Sequence, residues 1–170
     1  MAASPFERPI SDGVITLRPS QPQDNEVIVA GRDPLFHRFM GAGHPEPDPE
    51  ACITVGDDPS TAQIVGWIDY DEPRPWLSEG EVNIGYNVFP AFRGNGYATR
   101  ALELLVRHLT DDPSVSAATL LIDPANEASL GVALRARFVR HDDVDGERFY
   151  KRTTVPADAT PVQNPSRLRR

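Results

Sequence analysis

The chain changes its hydrophobic period once, between residues 81 and 109, and that change limits the fold more than any other feature of its sequence. In the first part Val82, Ile84, Tyr86 and Val88 share one face while Glu81, Asn83 and Asn87 share the other, the alternation of a half-buried strand. From Tyr97 onward Ala98, Ala101, Leu102, Leu105 and Leu109 recur at helical spacing, with Glu103 and Arg107 one turn apart on the wet side. Between the two lies Arg93-Gly94-Asn95-Gly96-Tyr97-Ala98. Glycines let such a turn close tightly with its N–H groups bare, and the first turn of a helix adds unpaired donors at its positive end. A strand, a glycine turn and an amphipathic helix in succession therefore predict an anion site made of main-chain groups. Arg93 adds a positive charge suited to a pyrophosphate.

The remaining segments set the fold class. Residues 14–17 read as a strand that ends at Arg18-Pro19. Asp24 or Asn25 caps a short helix through Ala30, and Asp33-Pro34 opens a second one carrying Leu35, Phe36, Phe39 and Met40 before Gly41. A proline-rich loop over residues 44–50 precedes strands at 52–55 and 63–70, and Pro73 and Pro75 mark the connection before residue 81. The apolar run 117–122 suits an interior strand closed by Asp123-Pro124, and a helix fits 127–136. Strands at 138–141 and 148–151 join across Asp145-Gly146, a hairpin signal. Strand, helices, strands, helix, strand, helix and two strands make an α+β chain with a central mixed sheet. Residues 1–13 read as an N-terminal arm, 14–152 as one domain and 153–170 as a disordered tail of prolines, small residues and a basic end.

Composition removes several functions. With 170 residues, 39% hydrophobic and 25% charged, the chain suits one ordinary domain, and no apolar run approaches the roughly 18 residues that span a bilayer. Pro5, Glu7 and Pro9 stand where an export signal needs an apolar core, so a cytoplasmic protein without a membrane role is expected. Cys52 is the single cysteine and reads as packing, and His37, His44, His108 and His141 lack metal spacing, so no metal is assigned. A net charge of −8 opposes non-specific nucleic-acid binding and favours a cationic partner.

The glycine turn alone admits more than one ligand. A P-loop fails for want of a lysine after either glycine. A Rossmann site wants a small residue where Thr99 stands and an acid ending the next strand; Asp123 does end it, so that reading is weakened and stays open. The wider segment is more specific. Val88-Phe89-Pro90-Ala91-Phe92 followed by Arg93 to Ala98 resembles motif A of the GNAT acetyltransferase superfamily, with Arg93, Gly96 and Ala98 in its marked places. Ile84-Gly85-Tyr86, Ala101-Leu102 and Asn126-x-x-Ser129 resemble the branch of ribosomal-protein alanine N-acetyltransferases.

That resemblance implies a mostly antiparallel sheet of six to seven strands flanked by helices, and acetyl-CoA as cosubstrate without a metal. It implies that the backbone from Tyr86 through Val88 and Phe89 pairs with the pantetheine arm. Arg93, Gly94, Asn95, Gly96, Tyr97, Ala98 and Thr99 would hold the pyrophosphate, Asn126 would lie beside the pantetheine and Ser129 near the thiol. An alkyl amine, mostly protonated at neutral pH, needs a base. Relatives carry glutamate where Asn83 stands, which leaves Glu81, or Glu79 before it, as the expected catalytic base. The usual tyrosine is replaced by Ala133, so Ser129 becomes the expected proton donor to the departing thiolate, and the N–H of Val88 meets the oxyanion. Arg137 stands where the family places glycine and alters the helix exit. Trp67, Trp76 and Tyr70 are candidates to line an acceptor pocket, with Asp69, Asp71 and Glu72 as an acidic cluster able to attract an amine. The acceptor is expected to be a small amine or a protein N-terminus, bound by a monomer or homodimer. A non-catalytic acyl-CoA sensor of the same fold is the alternative.

Overall fold

The change of period becomes β5 (Glu81–Val88) followed, after a single turn of 3-10 helix, by α3 (Tyr97–Leu109). The computed structural model describes residues 6–58, 60–71 and 74–154, with the side chain of Asp71 outside that set. Ahead of β5 come β1 (Ile10–Ser11), β2 (Thr16–Pro19), α1 (Asn25–Ala30), α2 (Pro34–Met40), β3 (Ala51–Val55) and β4 (Gln63–Asp71). After α3 follow β6 (Ala117–Ile122), α4 (Glu127–Arg135), β7 (Val139–Arg140) and β8 (Arg148–Thr153). Among the described residues eight strands form one sheet in the order β1-β2-β3-β4-β5-β6-β8-β7. Every pairing is antiparallel except β5 with β6, where α3 is the crossover between parallel neighbours.

Alternation along the strands divides the core between two faces. On one, Leu17, Ile53, Ile68, Ile84 and Leu120 pack with Ala101, Leu102 and Leu105 of α3 and with Ala133 of α4, all buried. On the other, Cys52 and Phe89 meet Ile28 of α1, with Trp67 against them. Cys52 is fully buried, and burial with the nearby Asp24 carboxylate pushes its thiol up to about 12, so it stays protonated and serves packing.

Several local expectations materialise through identifiable groups. Asp33 caps α2 by accepting from the N–H of Phe36, and Asn126 caps α4 by accepting from the N–H of Ser129. Asp145 and Gly146 both have positive φ, at 50° and 86°, between the bridged residues Val144 and Glu147, the geometry of a two-residue hairpin turn. Arg137 does take the left-handed position after α4, at φ 62°. Its N–H donates to Leu134 O and that of Phe138 to Ala133 O, so the carbonyls of the last turn are satisfied without a glycine.

Three expectations are corrected. The sheet has eight strands instead of six or seven, because Ile10 and Ser11 of the presumed arm pair with Leu17 and Thr16 as β1. Phe6, also in that arm, is 1% exposed and stacks on His108 of α3. Asp24 does not cap α1: both of its carboxylate oxygens go to Arg18, at 2.7 and 2.8 Å, and one also accepts from Gln21 N–H. At the other end Thr153 still pairs with Ala117 and Thr154 is buried, donating to Ser116 O and Val115 O. The rest of the expected tail, from residue 155, lies outside the described residues.

Candidate active site

The site begins where β5 and β6 stop pairing. Their parallel register runs Glu81 to Ala117, Val82 to Ala118 and Asn83 to Thr119, and ends there. At the junction Thr119 donates to Val82 O, with Asn83 Oδ1 at 3.4 Å. Beyond it, the N–H of Phe89 bonds Val65 O on the β4 side. Strand alternation then turns the N–H groups of Tyr86 and Val88 toward the widening gap on the β6 side. The carbonyl of Val88 points the same way and accepts from Arg93 Nε at 2.9 Å.

The gap opens into a cavity of about 690 Å3, within the usual range of ligand sites. Its lining joins Tyr86 and Val88 of β5, the loop residues Gly94 and Gly96, the first turn of α3, the end of β6, and Asn126 and Ser129 of α4. Gly94 and Gly96 have φ of 80° and 77°, and a Cβ added at either meets nothing within 4 Å, so the loop presents bare backbone to open space. Gly96 stands directly before α3, and no side chain caps that helix. The N–H groups of Tyr97, Ala98 and Thr99 are thus free of the usual side-chain acceptor at the positive end of a thirteen-residue helix. Thr99 Oγ1, in the same turn, is buried without a partner. This is a seat for an anion with donors already in place.

Tyr86 supplies a second unpartnered group. Its hydroxyl is buried with no partner of standard hydrogen-bond geometry among the described residues, and the Ser129 hydroxyl, also on the cavity wall, lies close enough to influence it. Burial raises its pKa against the opposing influence of the Ser129 hydroxyl and the Arg135 charge, so the phenol keeps its proton at neutral pH.

The sequence matches the family model of the acetyltransferase (GNAT) domain over residues 15–139. The chain belongs to the GNAT acetyltransferase family. GNAT structures share its fold at low identity. A GNAT acetyltransferase from Bacillus anthracis superposes with a TM-score of 0.70 at 15% identity, covering 86% of this chain and 99% of that one. A Vibrio cholerae protein provisionally described as a ribosomal-protein-serine acetyltransferase gives 0.64 at 14%, covering 87% and 98%. Aminoglycoside acetyltransferase AAC(6')-Ib, solved with coenzyme A and kanamycin, gives 0.65 at 16%, covering 82% and 94%. No curated protein matches the sequence significantly. In this GNAT chain no described helix is long and apolar enough to cross a membrane, and no group of three metal-ligating side chains occurs among the described residues.

Within the GNAT site the expected residues fare differently. Val88, Gly94, Gly96, Tyr97, Ala98, Thr99, Asn126 and Ser129 converge on the cavity. Phe89 instead packs on Ile28 and Cys52 across the sheet, and Asn95 spends its amide on the carbonyls of Phe92 and Arg93, bracing the turn. Arg93 lines the cavity, but its guanidinium is committed: Nη1 and Nη2 donate to Asp33 at 2.7 and 3.0 Å. It pins α2 to the loop. Glu81 is not among the lining residues. Its carboxylate accepts from Lys151 Nζ at 2.6 Å and from Ser78 N–H at 3.0 Å. Burial pushes its pKa up, these hydrogen bonds outweigh that, and the net result is a carboxyl below its ordinary value and a weaker base.

The expected acceptor wall is also placed elsewhere. Trp67 packs under α1, Trp76 sits edge-on to Phe149, and Tyr70 packs on the main core; none lines the cavity. Asp69 does not line it either, while Glu72 and the Asp71 side chain lie outside the described residues. Sequence reasoning missed Glu147, a lining carboxylate in the β7–β8 turn that makes no side-chain ion pair among the described residues. Its only early signal was the place of the Asp145-Gly146 hairpin beside it.

Proposed function

We propose that the chain binds acetyl-CoA across the gap between β5 and β6 and transfers its acetyl group to a primary amine of a small molecule or a protein N-terminus. The observation that carries this is the bare first turn of α3, with its unpartnered Thr99 hydroxyl, opening onto the divergence of the two parallel strands. Coenzyme A bound by the structural neighbour AAC(6')-Ib supports the same choice of ligand. Acetyl-CoA supplies the thioester that the amine attacks and the thiolate that departs.

The chain's own groups divide the remaining work. The N–H groups of Gly94 to Thr99 hold the diphosphate, and the N–H of Tyr86 aligns the pantetheine amides along the open edge of β5. The N–H of Val88 faces the carbonyl oxygen and stabilises negative charge there. Glu147 takes a proton from the acceptor ammonium so that the neutral amine can attack the thioester, a role for which Glu81 is too firmly paired with Lys151. Tyr86 Oη, protonated and unpartnered, returns a proton to sulfur with the Ser129 hydroxyl beside it, which moves the usual tyrosine from α4 to β5.

Thermal melting with acetyl-CoA, beside thiol release over a panel of amines and peptides, tests this reading. A ligand at about 100 times its Kd stabilises the native state by about 2.7 kcal/mol, so a clear rise in melting temperature is expected, together with amine-dependent thiol release. Stabilisation without transfer to any amine would favour the non-catalytic acyl-CoA sensor. Absence of stabilisation would remove the cofactor assignment itself.

A further inference from the structure

The helix pinned to the glycine loop carries information that the acetyl-transfer reading does not use. α2 is only seven residues long, yet Leu35, Phe36, Phe39 and Met40 all line the cavity. Phe36 is 5% exposed, but Leu35 and Met40 remain 50% and 45% exposed. Short surface helices normally turn such side chains into the core, and grouped apolar residues left open beside a concave site mark a surface that a ligand covers.

The wall is held firmly in place. Asp33 caps α2, and its carboxylate is clamped by Arg93, whose Nε in turn donates to Val88 O. Capping and clamp together fix the apolar residues against the loop that receives the cofactor. Charge argues in the same direction. Among the described lining residues the carboxylates are Asp123 and Glu147, and Asp123 already accepts from the N–H of Ala125. Asp33 is neutralised by Arg93. The Ala125 N–H leaves the charge of Asp123 in place, but Arg135 also lines the cavity without an ion pair among the described residues, so Asp123, Glu147 and Arg135 together leave a single net negative charge, which matches one ammonium and not a polycation.

We propose that the acceptor is a primary amine carried on an apolar body, with Leu35, Phe36, Phe39 and Met40 covering that body and Glu147 facing its ammonium. The proposal rests on the acetyl-transfer reading and narrows its substrate. The amine sits within a few bonds of an alkyl or aryl group, as in an arylalkylamine or a peptide that begins with a large apolar residue.

Thiol release would be measured with 2-phenylethylamine, a peptide beginning with Phe, spermine and an aminoglycoside. The two apolar arms distinguish a free amine from a peptide terminus, and at least one should exceed both polycations in kcat/KM by about tenfold or more. Leu35→Asp and Met40→Glu alter exposed positions, and the former places an anion in the first turn of a helix, so folding should survive. Each should lower kcat/KM for the preferred amine about tenfold with the KM for acetyl-CoA unchanged. Preference for a polycation would overturn the proposal, as would variants that raise the acetyl-CoA KM and leave the amine alone. If acetyl-CoA stabilises the protein and no amine reacts, the transfer reading fails on its own. Calorimetric titration of 2-phenylethylamine and spermine into the coenzyme A complex then decides the inference: binding of the former supports it, and binding of spermine alone or of neither overturns it.

Discussion

Arg93 and Glu81 show that a side chain's role depends on what stands opposite it. Both occupy positions from which chemistry is a reasonable expectation, and both are neutralised, by Asp33 and by Lys151. Among the described residues Glu147 makes no side-chain hydrogen bond or ion pair on the cavity wall and Tyr86 has only the Ser129 hydroxyl beside its own, which is why the proposed function gives them the open roles. Tyr86→Phe keeps the ring and removes the hydroxyl, and Glu147→Gln keeps the shape and removes the base. Each should lower kcat by about 10²-fold, the lower range for a positioned acid or base, with the melting shift from acetyl-CoA retained. Glu81→Gln should cost stability through the lost ion pair and leave kcat within about twofold of wild type. Steady-state kinetics on the three variants checks the assignment, and a large kcat loss confined to Glu81→Gln would reverse it.

Two predictions concern elements. α4 ends on a non-glycine residue in the left-handed region, where an L side chain costs about 1–2 kcal/mol, and the exposed Arg137 side chain makes no hydrogen bond or ion pair among the described residues to offset that. Arg137→Gly should therefore raise stability by about 1 kcal/mol in denaturant unfolding, and a loss of stability would show that the arginine contributes something else. At α2, hydrogen bonds from the Arg93 guanidinium hold the Asp33 carboxyl down to about 2, from 3.8. With the folded value depressed, the unfolded chain takes up the proton first as pH falls. The contribution is complete above about pH 4 and is lost as pH falls from about 4 toward about 2. Unfolding of wild type and Asp33→Asn from about pH 5 down to about 2.5 should show a stability gap that closes with acid; a constant gap would mean that the ion pair does not hold α2. The pair is partly exposed, so the gap should be modest.

At the scale of the molecule, the sequence by itself determined what local rules govern. The alternation of β5, the helical spacing of α3, the apolar run of β6, the caps at Asp33 and Asn126 and the Asp145-Gly146 turn each depend on residues within a few positions, where backbone sterics and period decide. The glycine loop before α3 was legible for the same reason, since glycines next to a helix start need no distant partner to be recognised. The tertiary structure alone decided the rest. Phe6 and β1 join the core through contacts with α3 and β2, Asp33 captures Arg93 from 60 positions away, and Lys151 captures Glu81 from 70. Trp67 stays off the cavity because the alternation that puts it on the α1 face also sends it into packing with Cys52 and Ile28. Electrostatic pairing and burial act through space, so no window along the chain contains them. Period and turn chemistry act along the chain, so a single sequence shows where the glycine loop lies but not which carboxylate beside it remains free.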